Sequence, residues 1–269
     1  GSRYAVLGLP IIRGVVNFGE SLYIGLKTLS YSSSFYEEED YEPGKVEQFF
    51  TKIFGDKLES VLMGITMVIS VILALGIFMV LPFFLTNLMK GFLPSYSIRT
   101  LIEGIIRVAL FLIYIWLISK MEDIKRVFMY HGAEHKTINC LEHGEDLTPE
   151  NIKKYSRLHK RCGTSFLLIV MIVSIVVFMF IRVDSLVWKF VLRILLVPVV
   201  AGISYEFIRL AGRSDSKIVN TLSKPGLYLQ YFTTREPDEE MMEVAIKAVE
   251  GVFDWREYLR AMHNGELED

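Results

Sequence analysis

The sequence predicts an all-α integral membrane protein: four transmembrane helices with an N-terminal amphipathic helix, a helical cytoplasmic loop and a C-terminal amphipathic helix. Three observations lead to this fold class. Hydrophobic residues make up 52% of the chain and its mean hydropathy is +0.37. Long apolar runs without a charge, which soluble domains do not carry, recur along the chain. Polar segments between and after these runs have helical apolar periodicity.

Charge and cysteine content exclude two other classes of protein. The formal net charge of −2 gives no basic excess for binding phosphates, so we expect no nucleic-acid partner. Two cysteines, Cys140 and Cys162, are too few for a disulfide framework.

Four segments are predicted to cross the bilayer. Residues 61–85 and 163–181 contain no charged residue, and each is long enough for a bilayer core that needs about 20 apolar residues. Residues 100–119 and 188–208 contain charges near their ends, where long side chains can reach the interface. We therefore interpret all four segments as transmembrane helices.

The distribution of lysine and arginine predicts the orientation. The loop 120–161 contains nine basic residues, whereas the loops on the opposite side are short and poorer in them. The positive-inside rule places this loop and both termini in the cytoplasm, in a multi-pass protein of the cell membrane. The predicted parts are an N-terminal region 1–57, a membrane domain 58–211 and a cytoplasmic helical tail 212–269.

The regions outside the spans are predicted to be mainly helical. Residues 10–30 carry an apolar stripe with helical spacing, typical of an amphipathic helix that lies on the membrane surface or packs against the helix bundle. The acidic run 37–40 precedes Pro43-Gly44 and indicates a solvated linker. Thr233-Thr234-Arg235-Glu236-Pro237 predicts a helix start with a threonine cap, and the following apolar stripe could dock a cytoplasmic partner protein.

The motif His131-Gly132-Ala133-Glu134-His135 has the H-x-x-E-H order of inverted zincins. On a helix its two histidines and its glutamate share one face, so the two imidazoles could bind one divalent metal ion, most simply Zn²⁺. Glu134 is then the candidate catalytic residue, because a carboxylate beside a metal can accept a proton from water. The alternative is a pair of histidines on the surface of a polar helix.

A catalytic zinc site needs a third protein ligand. Our first candidate is Glu206 at the cytoplasmic end of the fourth predicted span, followed by His159 and then Cys162. The alternative for Glu206 is an ion pair with Arg209, and for Cys162 a small buried side chain at a helix start.

Four residues could orient the ligands through hydrogen bonds. They are Asn139, Glu142, Cys162 and Tyr205. For Tyr205 the alternative is an aromatic side chain at the membrane interface.

Three charged residues are predicted within the membrane: Glu103, Arg107 and Arg193. An unpaired charge there is unfavourable by about 2.5–3.5 kcal/mol, so pairing is expected. A pair of Glu103 with either arginine could fix the helix register, or it could mark an ion or proton pathway.

Several sequence blocks together resemble one family. They include Arg13-Gly14-Val15-Val16, Tyr130-His131-Gly132-Ala133-Glu134-His135-Lys136-Thr137, Arg161-Cys162-Gly163-Thr164-Ser165-Phe166, Gly202-Ile203-Ser204-Tyr205-Glu206, Pro225-Gly226-Leu227 and Thr233-Thr234-Arg235-Glu236-Pro237-Asp238. With these blocks the chain resembles the YqhQ-like family of bacterial multi-pass membrane proteins, described as of unknown function and in part as metal-dependent enzymes. The resemblance implies a metal ion and a further N-terminal segment before the Arg13 block, but no substrate.

The leading functional hypothesis is therefore a membrane-embedded metal-dependent hydrolase with a zinc site at the cytoplasmic face. Two alternatives remain: an oligomeric channel or transporter with a structural or absent metal, and a metal-stabilised membrane scaffold. The expected partners are membrane lipids, further copies of the chain and a cytoplasmic protein bound by the C-terminal helix.

Overall fold

A computed structural model describes residues 8–33, 35, 58–93, 95–183, 185–214 and 216–265, and no strand occurs among them. The predicted all-α class is confirmed. In chain order the helices are α1 (Ile12–Ser33), α2 (Leu58–Leu75), a π-helical segment (Gly76–Val80), α3 (Leu81–Leu88), α4 (Tyr96–Ile118), α5 (Glu122–Glu142), α6 (Pro149–Ile152), α7 (Gly163–Met179), α8 (Leu186–Arg213), α9 (Lys217–Thr233), α10 (Glu239–Glu250) and α11 (Trp255–His263).

Within the described ranges, three helices are long and apolar enough to cross a membrane. They lie at Gly64–Leu88, Tyr96–Ile118 and Val187–Arg213, with 25, 23 and 27 residues. Large apolar side chains on all three are exposed, as lipid-facing residues must be; Ile72 and Leu195, for example, are 61% and 65% exposed. Most of the predicted spans 61–85, 100–119 and 188–208 falls within these helices. The remaining predicted span, 163–181, corresponds to α7, an apolar helix of 17 residues.

The chain forms two compact units. The first comprises Gly1–Leu110 and Ile175–Gly202, and the second comprises Phe111–Ser174 and Ile203–Asp269. In the first unit, the guanidinium of Arg107 in α4 donates a hydrogen bond of 2.9 Å to the carbonyl oxygen of Phe78. Phe78 belongs to the π-helical segment between α2 and α3, so this bond ties that segment to α4.

The second unit has its own apolar core between α5, α10 and α11. Its buried members are Ala133, Cys140, Leu141, Leu147, Ile152, Met241, Met242, Trp255 and Leu259. Because Met241 and Met242 bury the inner face of α10, this part of the helix packs within the chain. Val244 and Val252 stay exposed, and docking of a partner protein remains a prediction.

The start of α10 differs from the prediction in its capping residue. Asp238, not a threonine, caps the helix, because its carboxylate accepts a hydrogen bond of 2.9 Å from the Met241 N–H. Thr233 is the last residue of α9, and the hydroxyl of Thr234 donates back to the Gln230 carbonyl oxygen at 2.7 Å. The threonines therefore end one helix and do not begin the next.

The N-terminal region is helical where it is described. Helix α1 covers most of the predicted segment 10–30, and Tyr23 and Leu29 on it are 67% and 69% exposed. Its position on a membrane surface remains a prediction. The acidic run 37–40 lies outside the described residues.

Candidate metal site

Helix α5 places His131 and His135 one turn apart on the same face. Their ring centroids are 4.3 Å apart. The helix ends at Glu142, two residues before Gly144. Gly144 adopts the left-handed backbone conformation with φ of 77°, which is common after the last turn of a helix. The helical spacing that suggested a shared ligand site is therefore present.

Each imidazole is oriented by a hydrogen bond from its Nδ1 atom to a backbone carbonyl oxygen. His131 Nδ1 lies 2.8 Å from the Thr233 oxygen, and His135 Nδ1 lies 2.7 Å from the Arg157 oxygen. A carbonyl oxygen can only accept, so both Nδ1 atoms carry the proton in these bonds. In the neutral imidazole the Nε2 atom then has a free lone pair, which is the arrangement found for histidines that bind metals.

Cys162 completes a group of three potential ligands. Its Sγ atom lies 3.3 Å from His131 Nε2, and ligand atoms of His131, His135 and Cys162 all lie within 4.8 Å of one another. Cys162 and His135 are buried, and His131 is half-buried. Among the described residues, these histidine and cysteine side chains form a group compact enough to bind one ion together.

The surroundings of Cys162 favour the thiolate. Burial alone would raise the pKa of the thiol, but hydrogen bonds with His131, His135 and Thr164 outweigh it and lower this pKa to about 5. Burial likewise would lower the pKa of His131, but the hydrogen bond to Cys162 and the thiolate charge raise it. The backbone N–H of Thr164 also donates to Sγ at 3.4 Å. A thiolate is the form of cysteine that binds metal ions.

The carbonyl groups that orient the histidines are themselves held in place. The side-chain amide of Asn139 donates to the carbonyl oxygens of Ser156 and Leu158, at 2.7 and 3.1 Å, on either side of Arg157. The Arg157 guanidinium donates to the Thr234 oxygen at 3.0 Å. These bonds connect the loop that orients His135 with the segment that orients His131.

Gln230 fixes the loop before Cys162. Its side chain is fully buried, accepts from the His159 N–H at 2.8 Å and donates to the His159 carbonyl oxygen at 2.7 Å. It also donates to the Ser165 hydroxyl at 2.6 Å. Residues on both sides of Cys162 are thus attached to α9 by one side chain.

The glycine inside the motif permits a close backbone contact. A Cβ atom at Gly132 would lie 2.0 Å from the Arg235 carbonyl oxygen. The Arg235 N–H donates to the Phe128 oxygen at 2.8 Å, which attaches this extended segment to α5. Glycine is needed at position 132 because the segment bearing the Thr233 carbonyl crosses α5 there.

Of the three candidates for the third ligand, the structure brings Cys162 to the histidine pair. The carboxylate of Glu206, half-buried on α8, lies outside this group of three, and Tyr205 beside it is half-buried as well. His159 is near His135, with ring centroids 5.8 Å apart, but its Nε2 atom faces Glu142 at 3.3 Å.

Glu142 is held by its own partners. It forms a hydrogen bond with His159 and an ion pair with Arg161. The hydrogen bond with His159, the largest effect, lowers the pKa of Glu142, and burial opposes it.

Glu134 is exposed and lies beside an apolar cavity. The cavity has a volume of about 400 Å³, and its lining also includes Tyr130 and Thr137 from α5 and Val244 and Ala248 from α10. The charge of Glu134 contributes to the raised pKa of His131. It is thus close enough to act electrostatically on the ligand group.

The predicted intramembrane charges are paired with one another in the first unit. Glu103 binds Arg107 at 3.1 Å and Arg193 at 3.0 Å, and the Lys189 ammonium lies 3.4 Å away. Sequence reasoning did not include Lys189, which comes one turn before Arg193 in α8. A role of these residues in transport remains a prediction.

In the part of the chain that the structure describes, three apolar helices of membrane-spanning length and a largely buried histidine–cysteine group indicate a helical protein of membrane type with a candidate metal site. The chain belongs to the family described as "Protein of unknown function (DUF1385)", which it matches over residues 9–255. It is 37% identical over 241 residues to the "Uncharacterized protein YqhQ" of Bacillus subtilis (strain 168), an alignment that covers 89% of this chain and 76% of that protein. No solved structure matches the chain.

Proposed function

We propose that this chain is a membrane-embedded metal-dependent hydrolase whose zinc ion is held by His131, His135 and Cys162. The observation that supports it is the convergence of one ring nitrogen from each histidine and the Cys162 Sγ atom within 4.8 Å, with both Nδ1 atoms engaged by backbone carbonyls. The proposal keeps the predicted histidines and replaces Glu206 by Cys162 as third ligand.

The donor set fits zinc better than the hard cations. Imidazole nitrogen and thiolate sulfur are common zinc ligands, at about 2.0–2.1 and 2.3 Å, whereas Mg²⁺ and Ca²⁺ prefer oxygen. Structural zinc sites usually have four protein ligands, and catalytic sites have three with one position left for substrate. Among the described residues three side chains converge, and this number favours a catalytic site.

A bound zinc ion would supply Lewis-acid chemistry, polarising a carbonyl or phosphoryl oxygen of a substrate. The protein would supply the proton transfer. Glu134 is the candidate general base, because it follows His131 by less than one turn and its charge acts on that ring. The apolar cavity beside Glu134 would accept the apolar part of a substrate.

We also propose that α7 is a fourth membrane crossing. Its 17 residues span about 26 Å at about 1.5 Å per residue, close to the bilayer core of about 30 Å. Four crossings would put both termini on one side of the membrane. The basic loop 120–161 indicates that this side is the cytoplasm, so the ligand group would lie at the cytoplasmic face. Reporter fusions at the two ends test this directly: four crossings put both reporters on one side, and three put them on opposite sides.

Metal content of the purified protein tests the proposed ligands. We expect one equivalent of zinc in the wild type and loss of at least nine-tenths of it in His135→Ala and Cys162→Ser. His143→Ala is the matched control, because His143 is exposed on the turn after the same helix. Equal zinc in wild type, His135→Ala and Cys162→Ser would refute the proposal.

An activity screen with peptide and lipid-headgroup substrates tests catalysis separately. Glu134→Gln should retain zinc and lose about 100-fold or more in turnover, in line with loss of a general base. If Glu134→Gln hydrolyses the responsive substrate at the wild-type rate, Glu134 is not the base.

A second candidate function is nucleophilic catalysis by Cys162 without a metal. The observation that favours it is the contact of 3.3 Å between Sγ and His131 Nε2 together with the lowered pKa of the thiol. Cysteine–histidine pairs of this kind activate sulfur as a nucleophile. Full activity in chelator-treated, zinc-free protein would favour this candidate over the metal-dependent one.

A further inference from the structure

The first unit contains a buried cluster with more positive than negative charge. Glu103 is 2% exposed and is shared by Arg107, Lys189 and Arg193, each in contact with its carboxylate. Among the described residues, one carboxylate thus faces three cations. In a low-dielectric environment the remaining positive charge is costly unless another anion compensates it.

Arg99 adds a fourth cation next to this cluster. It lines a cavity together with Glu103 and Lys189. Its Nε atom is buried and has no hydrogen-bond partner within the part of the chain that the structure describes. A buried guanidinium N–H without an acceptor is rare, and it indicates a missing acceptor group.

The cavity has the size and the donors for a small oxyanion. Its volume is about 50 Å³, whereas a single water needs about 10–15 Å³ by this measure. Hydroxyl groups of Thr86 and Thr100 also line it but donate to backbone carbonyls at 2.6 and 3.2 Å. The donors that remain for an anion are Arg99, Lys189 and the exposed amide of Asn87.

The cavity lies where three membrane helices begin or end. Asn87 is near the end of α3, Arg99 is in the first turn of α4 and Lys189 is in the first turn of α8. Phe84, Phe92 and Trp188, which lie near these ends, are 55%, 86% and 62% exposed. Aromatic side chains at helix ends are typical of the level of the lipid headgroups.

We infer that this cavity binds the phosphate group of an anionic phospholipid. Arg99 and Lys189 would neutralise the phosphate, Asn87 would donate a hydrogen bond to it, and the exposed aromatic residues would contact the lipid tails. The positive end of the α4 dipole adds to the attraction. This inference does not depend on the proposed metal site, because all the residues concerned belong to the first unit.

Native mass spectrometry of the full-length chain in detergent tests the inference. The protein is titrated with phosphatidylglycerol, with zwitterionic phosphatidylcholine and with inorganic phosphate. We expect one phosphatidylglycerol to bind at least tenfold more tightly than phosphatidylcholine, and Arg99→Gln to remove this preference. Lys90→Gln, which removes an exposed cation after α3, should bind like the wild type.

Asn87→Ala provides a second variant should Arg99→Gln unfold, because an exposed asparagine can be removed without disturbing the core. It should weaken phosphatidylglycerol binding several-fold at an unchanged unfolding temperature. Equal binding of the two lipids, or wild-type binding by both Arg99→Gln and Asn87→Ala, would overturn the inference. Tight inorganic phosphate binding without lipid preference would also overturn it, in favour of a soluble phosphate ligand.

Discussion

The Nε2 atom of His131 lies 3.3 Å from the Sγ atom of Cys162, although the two residues are 31 positions apart in the sequence. The opposite nitrogen of the same ring is bound to the Thr233 carbonyl oxygen at 2.8 Å. One imidazole therefore connects α5, the residue before α7 and the end of α9. The two histidines therefore belong to a packed group and are not a pair on the surface of a polar helix.

The two cysteines are predicted to differ in reactivity. Burial and the charge of Glu145 raise the pKa of Cys140 to about 11, whereas the pKa of Cys162 is about 5. In zinc-free protein at pH 7, iodoacetamide should modify Cys162 and leave Cys140 unmodified, as measured by peptide mass spectrometry. Added zinc should protect Cys162.

Both thiols are buried, with 7% of Cys162 and 0% of Cys140 exposed. The difference in thiol pKa should therefore determine which cysteine reacts with iodoacetamide. The rate for Cys162 should change little between pH 7 and pH 9, because its thiolate is already formed. A rate for Cys162 that rises tenfold per pH unit over this range would contradict the lowered pKa.

Gly132→Ala should destabilise the second unit. The new methyl group would lie 2.0 Å from the Arg235 carbonyl oxygen, and overpacking of this kind costs about 1–3 kcal/mol. This exceeds the gain of about 1 kcal/mol in helix propensity. A lower unfolding temperature and weaker zinc binding are expected, because the Thr233 carbonyl would move with Arg235.

Gly25→Ala is the matched control for this substitution. It also replaces a helical glycine, but a Cβ atom there meets nothing within 4 Å. Its unfolding temperature should equal or exceed that of the wild type. A Gly132→Ala protein as stable as Gly25→Ala would show that the close contact does not constrain the fold.

Asn139→Ala should weaken metal binding without removing a ligand. Asn139 holds the loop whose Arg157 carbonyl orients His135, and loss of such supporting hydrogen bonds lowers metal affinity about 10–100-fold. Zinc competition with a chromophoric chelator measures the effect. Unchanged affinity, with His143→Ala as the reference variant, would show that the loop holds its position without Asn139.

Much of the fold could be predicted from the sequence because it depends on local patterns. Apolar runs predicted the long helices, and the spacing of His131 and His135 predicted that these two side chains share one helix face. Gly144 after the last turn gave the end of α5. Such features depend on residues a few positions apart, where periodicity is informative.

Which of the three candidate third ligands lies beside the histidine pair could not be predicted, because this depends on tertiary packing. The sequence favoured Glu206 from its place at a helix end, whereas Cys162 reaches the histidines through the loop held by Gln230 and Asn139. The carbonyl acceptors of Arg157 and Thr233 left no signal in the sequence, because every residue has a carbonyl. The role of Gly132 likewise required the position of Arg235.

Gln230→Leu should destabilise this loop. It would leave the His159 N–H and carbonyl and the Ser165 hydroxyl without their buried partner, at about 1–3 kcal/mol for each unsatisfied group. A drop in unfolding temperature of several degrees is expected. Tyr228→Phe, at an exposed position of the same helix, should change the unfolding temperature little. Equal effects of both variants would contradict the role of Gln230 in holding the loop.

The most direct test of the central claim is an anomalous difference map at the zinc edge from crystals of the wild-type protein grown with zinc. We predict one peak at about 2.0–2.1 Å from the Nε2 atoms of His131 and His135 and about 2.3 Å from the Sγ atom of Cys162. A map with no peak between these three atoms, or with its zinc peak at Glu206 or His159 and not at Cys162, would contradict the proposed metal site.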